Sequence, residues 1–304
     1  MASSHHCISL TTPSYANLSL SIFLLVGIVV SYLPQHYRII RRRSSEGLSP
    51  YFVLLGTTSG TSAFANILLL PASRADLQCC KVVSPFQCFS ALLGIAQVGT
   101  QWTCFSIILL LFLIFFPRNT PLSAPKSIKS QYTYQTAIGV ALACFLHAAV
   151  TFVVSVILLF THPSVVPALA NFYGVVATLL ACIQYFPQLY TTWRLRAVES
   201  LSIPMMCLQT PGSFLWATSL ALRLGAEGWS AWGVYLVTGC LQGGLLVMAI
   251  YFELFANRPR DFAPGTAIHR EDHAETDDEG SHVVEGNGEG HRVHERTPLL
   301  RNAS

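Results

Sequence analysis

Charge is what this sequence holds least of. Only 11% of its 304 residues are Asp, Glu, Lys or Arg, against 52% hydrophobic residues and a mean hydropathy of +0.49. A soluble domain needs about 25% charged residues to wet its surface, so a water-soluble globular fold is excluded, as is a disordered chain. Period-two alternation is absent, and with it the strands of about 9–11 residues that build a membrane β-barrel. There is no nucleophile–base pair, no phosphate-binding loop and no Cys/His spacing suited to zinc, so neither an enzyme nor a bound cofactor or metal is expected. The bases cluster between apolar runs instead of forming one wet stripe, which argues against a nucleic-acid partner.

What is present is long apolar runs. A helix needs about 20 mostly apolar residues to cross a bilayer core of about 30 Å. Seven stretches qualify: Tyr15–Tyr37, Pro50–Leu70, Ala91–Phe116, Tyr132–Phe160, Leu169–Trp193, Ile203–Leu222 and Ala231–Phe255. Lys81–Ser90 reads as a segment lying at the interface before the third span. The first run is too long for a signal peptide, lacks a basic segment before it and is stopped by Arg38–Arg43, so it is expected to stay in the mature protein. Eleven bases fall in the loops after spans one, three and five and just past the seventh: Arg38, Arg41–Arg43, Arg118, Lys126, Lys129, Arg194, Arg196, Arg258 and Arg260. Three (Arg74, Lys81 and Arg223) fall on the other side. Bases favour the cytosolic side, so residues 1–14 are expected in the lumen or outside the cell, and the tail in the cytosol.

The chain also repeats itself. Tyr32–Pro50 laid over Tyr185–Ile203, an offset of 153, matches nine of nineteen positions. The copies read YLPQHYRIIRRRSSEGLSP and YFPQLYTTWRLRAVESLSI, each leaving an odd-numbered span and entering the next. The expected fold is therefore all-α in the membrane. Residues 15–116 and 161–257 would be two parallel triple-helix repeats, joined through a loop and linker helix at 117–160 in a 3+1+3 order.

Pro34-Gln35 followed by Glu46-Gly47-Leu48-Ser49, and Pro187-Gln188 followed by Glu199-Ser200-Leu201-Ser202, resemble the paired motifs of the PQ-loop family. That family includes cystinosin-like and lysosomal or vacuolar cationic amino-acid transporters, with the sugar-transporting SWEETs as relatives. The resemblance covers Tyr15 to Phe255 and implies a transporter with its solute site between the two repeats, near the midplane. It also implies that Pro34 and Pro187 are hinges. The local physics agrees, because a proline inside a helix removes a backbone hydrogen bond and kinks the chain, freeing the carbonyl four residues earlier. Gln35 and Gln188 stand next to those prolines as polar partners. The neighbouring arginines serve topology and lipid headgroups.

Polar side chains at membrane depth mark a functional site or glue between helices. Asn66, Gln97, Gln101, Trp102, Gln209 and Gln242 are the candidate solute pocket. His147, in the linker helix, reads as a histidine hydrogen-bonded within the bundle. Apart from Glu253 at the cytosolic end of the seventh, no Asp or Glu lies within a span, a departure from the proton-coupled members of the family. Gly56/Gly60 and Gly239/Gly243 read as close packing within one bundle, and Pro211-Gly212 as a break in the sixth span. Cys104, Cys144, Cys182, Cys207 and Cys240 read as small packing residues, while Cys79, Cys80 and Cys88 fall in a lumenal loop where a disulfide is permitted. Asn17-Leu18-Ser19 abuts the membrane and is expected to carry no glycan.

Residues 258–304 are polar, too poor in apolar side chains to bury a core, and expected to be disordered. Their five histidines have no regular metal-ligand spacing. Glu295-Arg296-Thr297-Pro298-Leu299-Leu300 resembles an acidic dileucine signal, which implies clathrin adaptors as partners and a vacuolar or lysosomal membrane in preference to the plasma membrane. The function expected is transport of a small polar solute, an amino acid or similar, across the lipid bilayer by alternating access. The competing function is a non-transporting receptor or scaffold that recruits cytosolic partners. A seven-span G-protein-coupled receptor ranks third, since a duplicated half is not expected of it.

Overall fold

In a computed structural model, residues 7–8, 14–45, 48–116, 133–195 and 203–252 are described. Glu46, Gly47, Arg118, Lys126, Lys129, Arg196, Glu199, Ser200, Leu201, Ser202 and everything after Phe252 lie outside the described residues. That last stretch takes in Glu295, Leu299 and Leu300, and the side chain of Gln188 is also outside. Among the described residues the secondary structure is entirely helical: α1 (Tyr15–Arg42), α2 (Pro50–Leu69), α3 (Pro71–Cys79), α4 (Pro85–Ile114), α5 (Tyr134–Thr161), α6 (Val166–Leu195), α7 (Ile203–Leu224) and α8 (Trp229–Tyr251), with one 3-10 turn at Ala226–Gly228.

Local chemistry sets several of these boundaries. Proline stands at the first turn of α2, α3 and α4, where its missing N–H costs nothing because that donor would be unpaired anyway. The start of α4 corrects the sequence expectation. Ser84 and Gln87 form a reciprocal capping box, Ser84 N to Gln87 Oε1 at 3.0 Å and Gln87 N to Ser84 Oγ at 3.4 Å, so the helix begins at Pro85 instead of Ala91. The short element before α4 is the nine-residue α3, not Lys81–Ser90. The Pro211-Gly212 break is a second correction, since α7 runs through Pro211 without interruption. Past α7 the chain reverses at Gly225, whose φ of 65° is a conformation that suits glycine.

Among the described residues six helices are long and apolar enough to cross a membrane: α1, α2, α4, α5, the stretch Val166–Arg194 of α6, and the stretch Ala226–Tyr251 that contains α8. The seventh expected span, α7, is long enough at 22 residues but falls short in hydropathy, because Gln209, Thr210, Pro211, Gly212, Ser213 and Arg223 dilute it. The chain is a multi-pass integral membrane protein. Large apolar side chains cover the outside of the bundle, most densely on α5, where Leu142, Phe145, Phe152 and Phe160 are all exposed. A patch of that kind requires an apolar surrounding.

The helices alternate in direction, so the bundle has two ends. The disulfides Cys7–Cys79 and Cys80–Cys88 mark one, and Arg38, Arg41, Arg42 and Arg194 the other; these are the disulfide end and the arginine end below. In the first half α4 packs against both α1 and α2; in the second, α8 packs against both α6 and α7. Across the halves α2 lies along α6, while α1 meets α7 far less extensively. The Gly56/Gly60 stripe meets Phe105 and Trp102 of α4, and the Gly239/Gly243 stripe meets Ser213, Phe214 and Thr210 of α7. Both stripes thus serve close packing within this chain, as their spacing suggests.

The apolar core is continuous at one end and divided at the other. Toward the disulfide end Leu24 and Ile28, Ile67, Val98, Ala170, Leu220 and Val234 belong to one buried cluster drawn from both halves. Toward the arginine end there are two. Val53, Ile108, Phe112 and Val140 form one with α5, and Met206, Leu245 and Ala249 form another packed by Tyr185 and Leu189.

Candidate functional site

The inner face of α1 reads Asn17, Ser21, Leu24, Ile28, Tyr32, one residue per helical turn. Opposite it stand Ser90, Gln97 and Gln101 of α4, then Trp216, Ser219 and Arg223 of α7, and Tyr235 of α8. Together they form a polar seam between the halves.

At the disulfide end the seam is closed. Arg223 Nη1 donates to the Ser90 carbonyl at 2.6 Å, while Nη2 and Nε donate to Ser21 Oγ at 2.7 and 3.2 Å. Ser21 Oγ also lies 3.2 Å from Ser219 Oγ, and Ser219 donates to Asn17 Oδ1 at 3.5 Å. Asp76 of α3 interacts electrostatically with Arg223. One level deeper, the fully buried Gln97 donates from Nε2 to the Ser21 carbonyl at 2.9 Å, and among the described residues its Oε1 has no partner.

In the middle of the seam the Tyr235 hydroxyl donates to Gln101 Oε1 at 3.0 Å. The Tyr235 ring stacks on Trp216 with centroids 4.0 Å apart and planes 25° apart. Tyr32 interacts with the same Gln101 side chain and, electrostatically, with Tyr185 and Tyr235. Among the described residues the buried Trp216 indole N–H has no partner. One amide and two aromatic rings, from α4, α7 and α8, thus line the middle of the seam. Flat π-faces, hydroxyls and an amide can hold a small molecule by stacking and by neutral hydrogen bonds.

The six expected pocket residues are divided by this geometry. Gln97 and Gln101, four apart on α4, both face the seam. Gln242 Nε2 donates to Gln209 Oε1 at 2.6 Å, pairing α8 with α7. Asn66, fully buried, donates to the Ala170 carbonyl at 2.6 Å and to Ser230 Oγ at 2.9 Å, tying α2 to α6 and α8. Trp102 donates to Thr61 Oγ1 at 3.0 Å and stacks on Phe64, so its bonds go to α2. His147 lies 3.1 Å from Ser62 Oγ, the bonded histidine expected within the bundle. Pro34 and Pro187 sit inside α1 and α6. Just past Pro34, His36 Nε2 lies 3.1 Å from the Cys104 carbonyl of α4. Among the described residues no group of three His, Cys, Asp or Glu could hold a metal.

Sequence reasoning missed Tyr32, Tyr185, Trp216, Tyr235 and Arg223. For two of them the signal was in the repeat, because Tyr32 and Tyr185 are the identities that open its two copies.

The PQ loop repeat family matches residues 17–75 and again residues 169–229, the stretches that carry Pro34 and Pro187. An uncharacterized protein of Schizosaccharomyces pombe is 33% identical over 248 residues, 78% of this chain and 80% of its own length. A solved eukaryotic SWEET transporter superposes with a TM-score of 0.46 at 16% identity, covering 84% of this chain and 100% of its own. The chain is a multi-pass helical membrane protein. It belongs to the PQ-loop repeat family.

Proposed function

We propose that this protein moves a small polar solute, an amino acid or a molecule of similar size, across a membrane by alternating access. Seven helices work as two triple-helix units, α1, α2 and α4 against α6, α7 and α8, joined through α5 in a 3+1+3 order. The solute binds in the seam at Gln101, and Pro34 and Pro187 are the hinges. The observation that carries the reading is the Tyr235–Gln101 bond at 3.0 Å, which joins α8 of the second unit to α4 of the first beside Trp216. Polar and aromatic groups of the two repeats meet there, at the kind of interface where carriers of this plan hold their substrate. The matching helix order within each half adds support, with the last helix in contact with both others.

The arginine end faces the cytosol and the disulfide end the lumen or exterior. Eleven bases against three support this orientation, and so do the two disulfides, which persist on an oxidising side. The acidic dileucine string supports a vacuolar or lysosomal membrane, with clathrin adaptors as tail partners.

The test is reconstitution of the full chain in liposomes and uptake against a panel of labelled amino acids and sugars. Saturable uptake of one solute, competed by its unlabelled form, is expected. No uptake of any solute by folded, oriented protein would overturn transport and leave the receptor or scaffold reading, which the lack of Asp and Glu inside the sequence-defined spans, Glu253 at the end of the seventh aside, favours.

A further inference from the structure

The two ends of the seam are not equivalent. On the disulfide side, α7 is bonded to α1 and α4 through Arg223, Ser21, Ser219 and the Ser90 carbonyl. On the arginine side of Gln101, among the described residues, no hydrogen bond joins α1 or α4 to α7 or α8, and the apolar core is split between the halves. Gly94 of α4 makes the close end possible: a Cβ there would lie 3.3 Å from Leu220 Cδ2 and 3.8 Å from Arg223 Cδ. The post that Arg223 grips is itself held. Ser90 lies two residues past Cys88, and Asp76 lies on the helix that ends at Cys79, so both disulfides fasten the elements the guanidinium touches.

We propose that Arg223 is the latch of a gate at the disulfide end, closed by its bonds to Ser21 and the Ser90 carbonyl, and that α7 swings away from α1 and α4 when they break. An arginine suits the task. Its planar fork grips two helices at once, and its bonds to the neutral oxygens of Ser21 and Ser90 can be exchanged for water when the end opens. The purpose of such a gate rests on the transporter reading, but its existence can be tested without a solute.

The test uses the full chain in oriented liposomes, with Cys104, Cys144, Cys182, Cys207 and Cys240 replaced by Ala and the four disulfide cysteines kept. Leu24→Cys, one turn below Ser21 and buried, reports access from the disulfide side to a membrane-impermeant thiol reagent. Arg223→Gln removes the latch; Gly94→Val wedges α7 off α4 while leaving Arg223 in place. Each is expected to raise the labelling rate at least tenfold. Ile108→Cys, buried among α2, α4 and α5, is expected to stay unreacted in the same backgrounds. Labelling of Leu24→Cys unchanged in both variants overturns the latch, and so does labelling of Ile108→Cys in step with it, which would mean general loss of packing. A tenfold rise at Leu24→Cys with no uptake of any solute would keep the gate and reject the transporter; uptake with no such rise would do the reverse.

Discussion

Asn66 decides between glue and pocket, because the two roles predict opposite readouts for Asn66→Ala. The side chain is fully buried and makes two bonds, to the Ala170 carbonyl at 2.6 Å and to Ser230 Oγ at 2.9 Å. Ser230 in turn donates to Asn171 Oδ1 at 2.7 Å, so one residue organises contacts among α2, α6 and α8. Interhelical side-chain bonds in membrane proteins average about 0.6 kcal/mol and reach about 1.7, which puts the pair at about 1–3 kcal/mol. The cavity left by truncation adds about 1 kcal/mol. Against this, Asn66 Oδ1 is buried with no partner among the described residues, and deleting it returns about 1 kcal/mol. The net loss is about 1–3 kcal/mol, a fall in Tm of several degrees at about 2–4 °C per kcal/mol for a chain of this class. Thermal unfolding of the detergent-solubilised protein, followed by size-exclusion recovery, measures it. Ser230→Ala should be strongly non-additive with Asn66→Ala, since both belong to one network. An unchanged Tm with weakened solute affinity would refute the reasoning and return Asn66 to the pocket.

Tyr235→Phe deletes the hydroxyl bonded to Gln101 while keeping the ring stacked on Trp216; it should cut solute flux with little change in Tm, and normal flux in reconstituted vesicles would remove the seam from the mechanism. Pro34→Leu and Pro187→Leu each restore one backbone hydrogen bond and straighten a hinge. A bias of about 3 kcal/mol toward one facing state lowers the population of the other by about a hundredfold, so each variant should lose flux while still binding solute from one side. Leu299→Ala with Leu300→Ala should redirect the protein to the cell surface without changing its Tm, as fluorescence microscopy of a tagged chain would show.

The bundle was legible because two of its signals are one-dimensional. Apolar runs report length along a helix, and the nine identities at an offset of 153 report duplication without any knowledge of packing. Boundaries were less legible. The start of α4 lay in a stretch with no charge from Val82 to Phe116, although Ser84, Pro85 and Gln87 carry a helix-start pattern that could have placed it. The candidate site was legible only in part, for a geometric reason. An inventory of polar residues cannot tell which way each one faces. Gln97 and Gln101 share a face because they are four apart, whereas Trp102, adjacent to Gln101, is turned about 100° away and serves α2. Tyrosines escaped notice because in a membrane sequence they count as apolar bulk or interfacial anchors.

Arg223 is the instructive miss. The rule that bases gather on the cytosolic side explains eleven of the fourteen loop and helix-end charges and treats the other three as exceptions. An exception to a statistical rule is where a specific contact has to be sought, since a base on the unfavoured side gains nothing from topology. Arg223 meets that expectation: its guanidinium is spent on Ser21 and the Ser90 carbonyl, two groups from the half of the protein it does not belong to. By the same logic Arg74 and Lys81, the other two minority charges, flank the end of the disulfide-bound helix α3 on which Asp76 approaches Arg223. The three bases that topology leaves unexplained thus lie at the disulfide end of the bundle, the end at which Arg223 closes the seam.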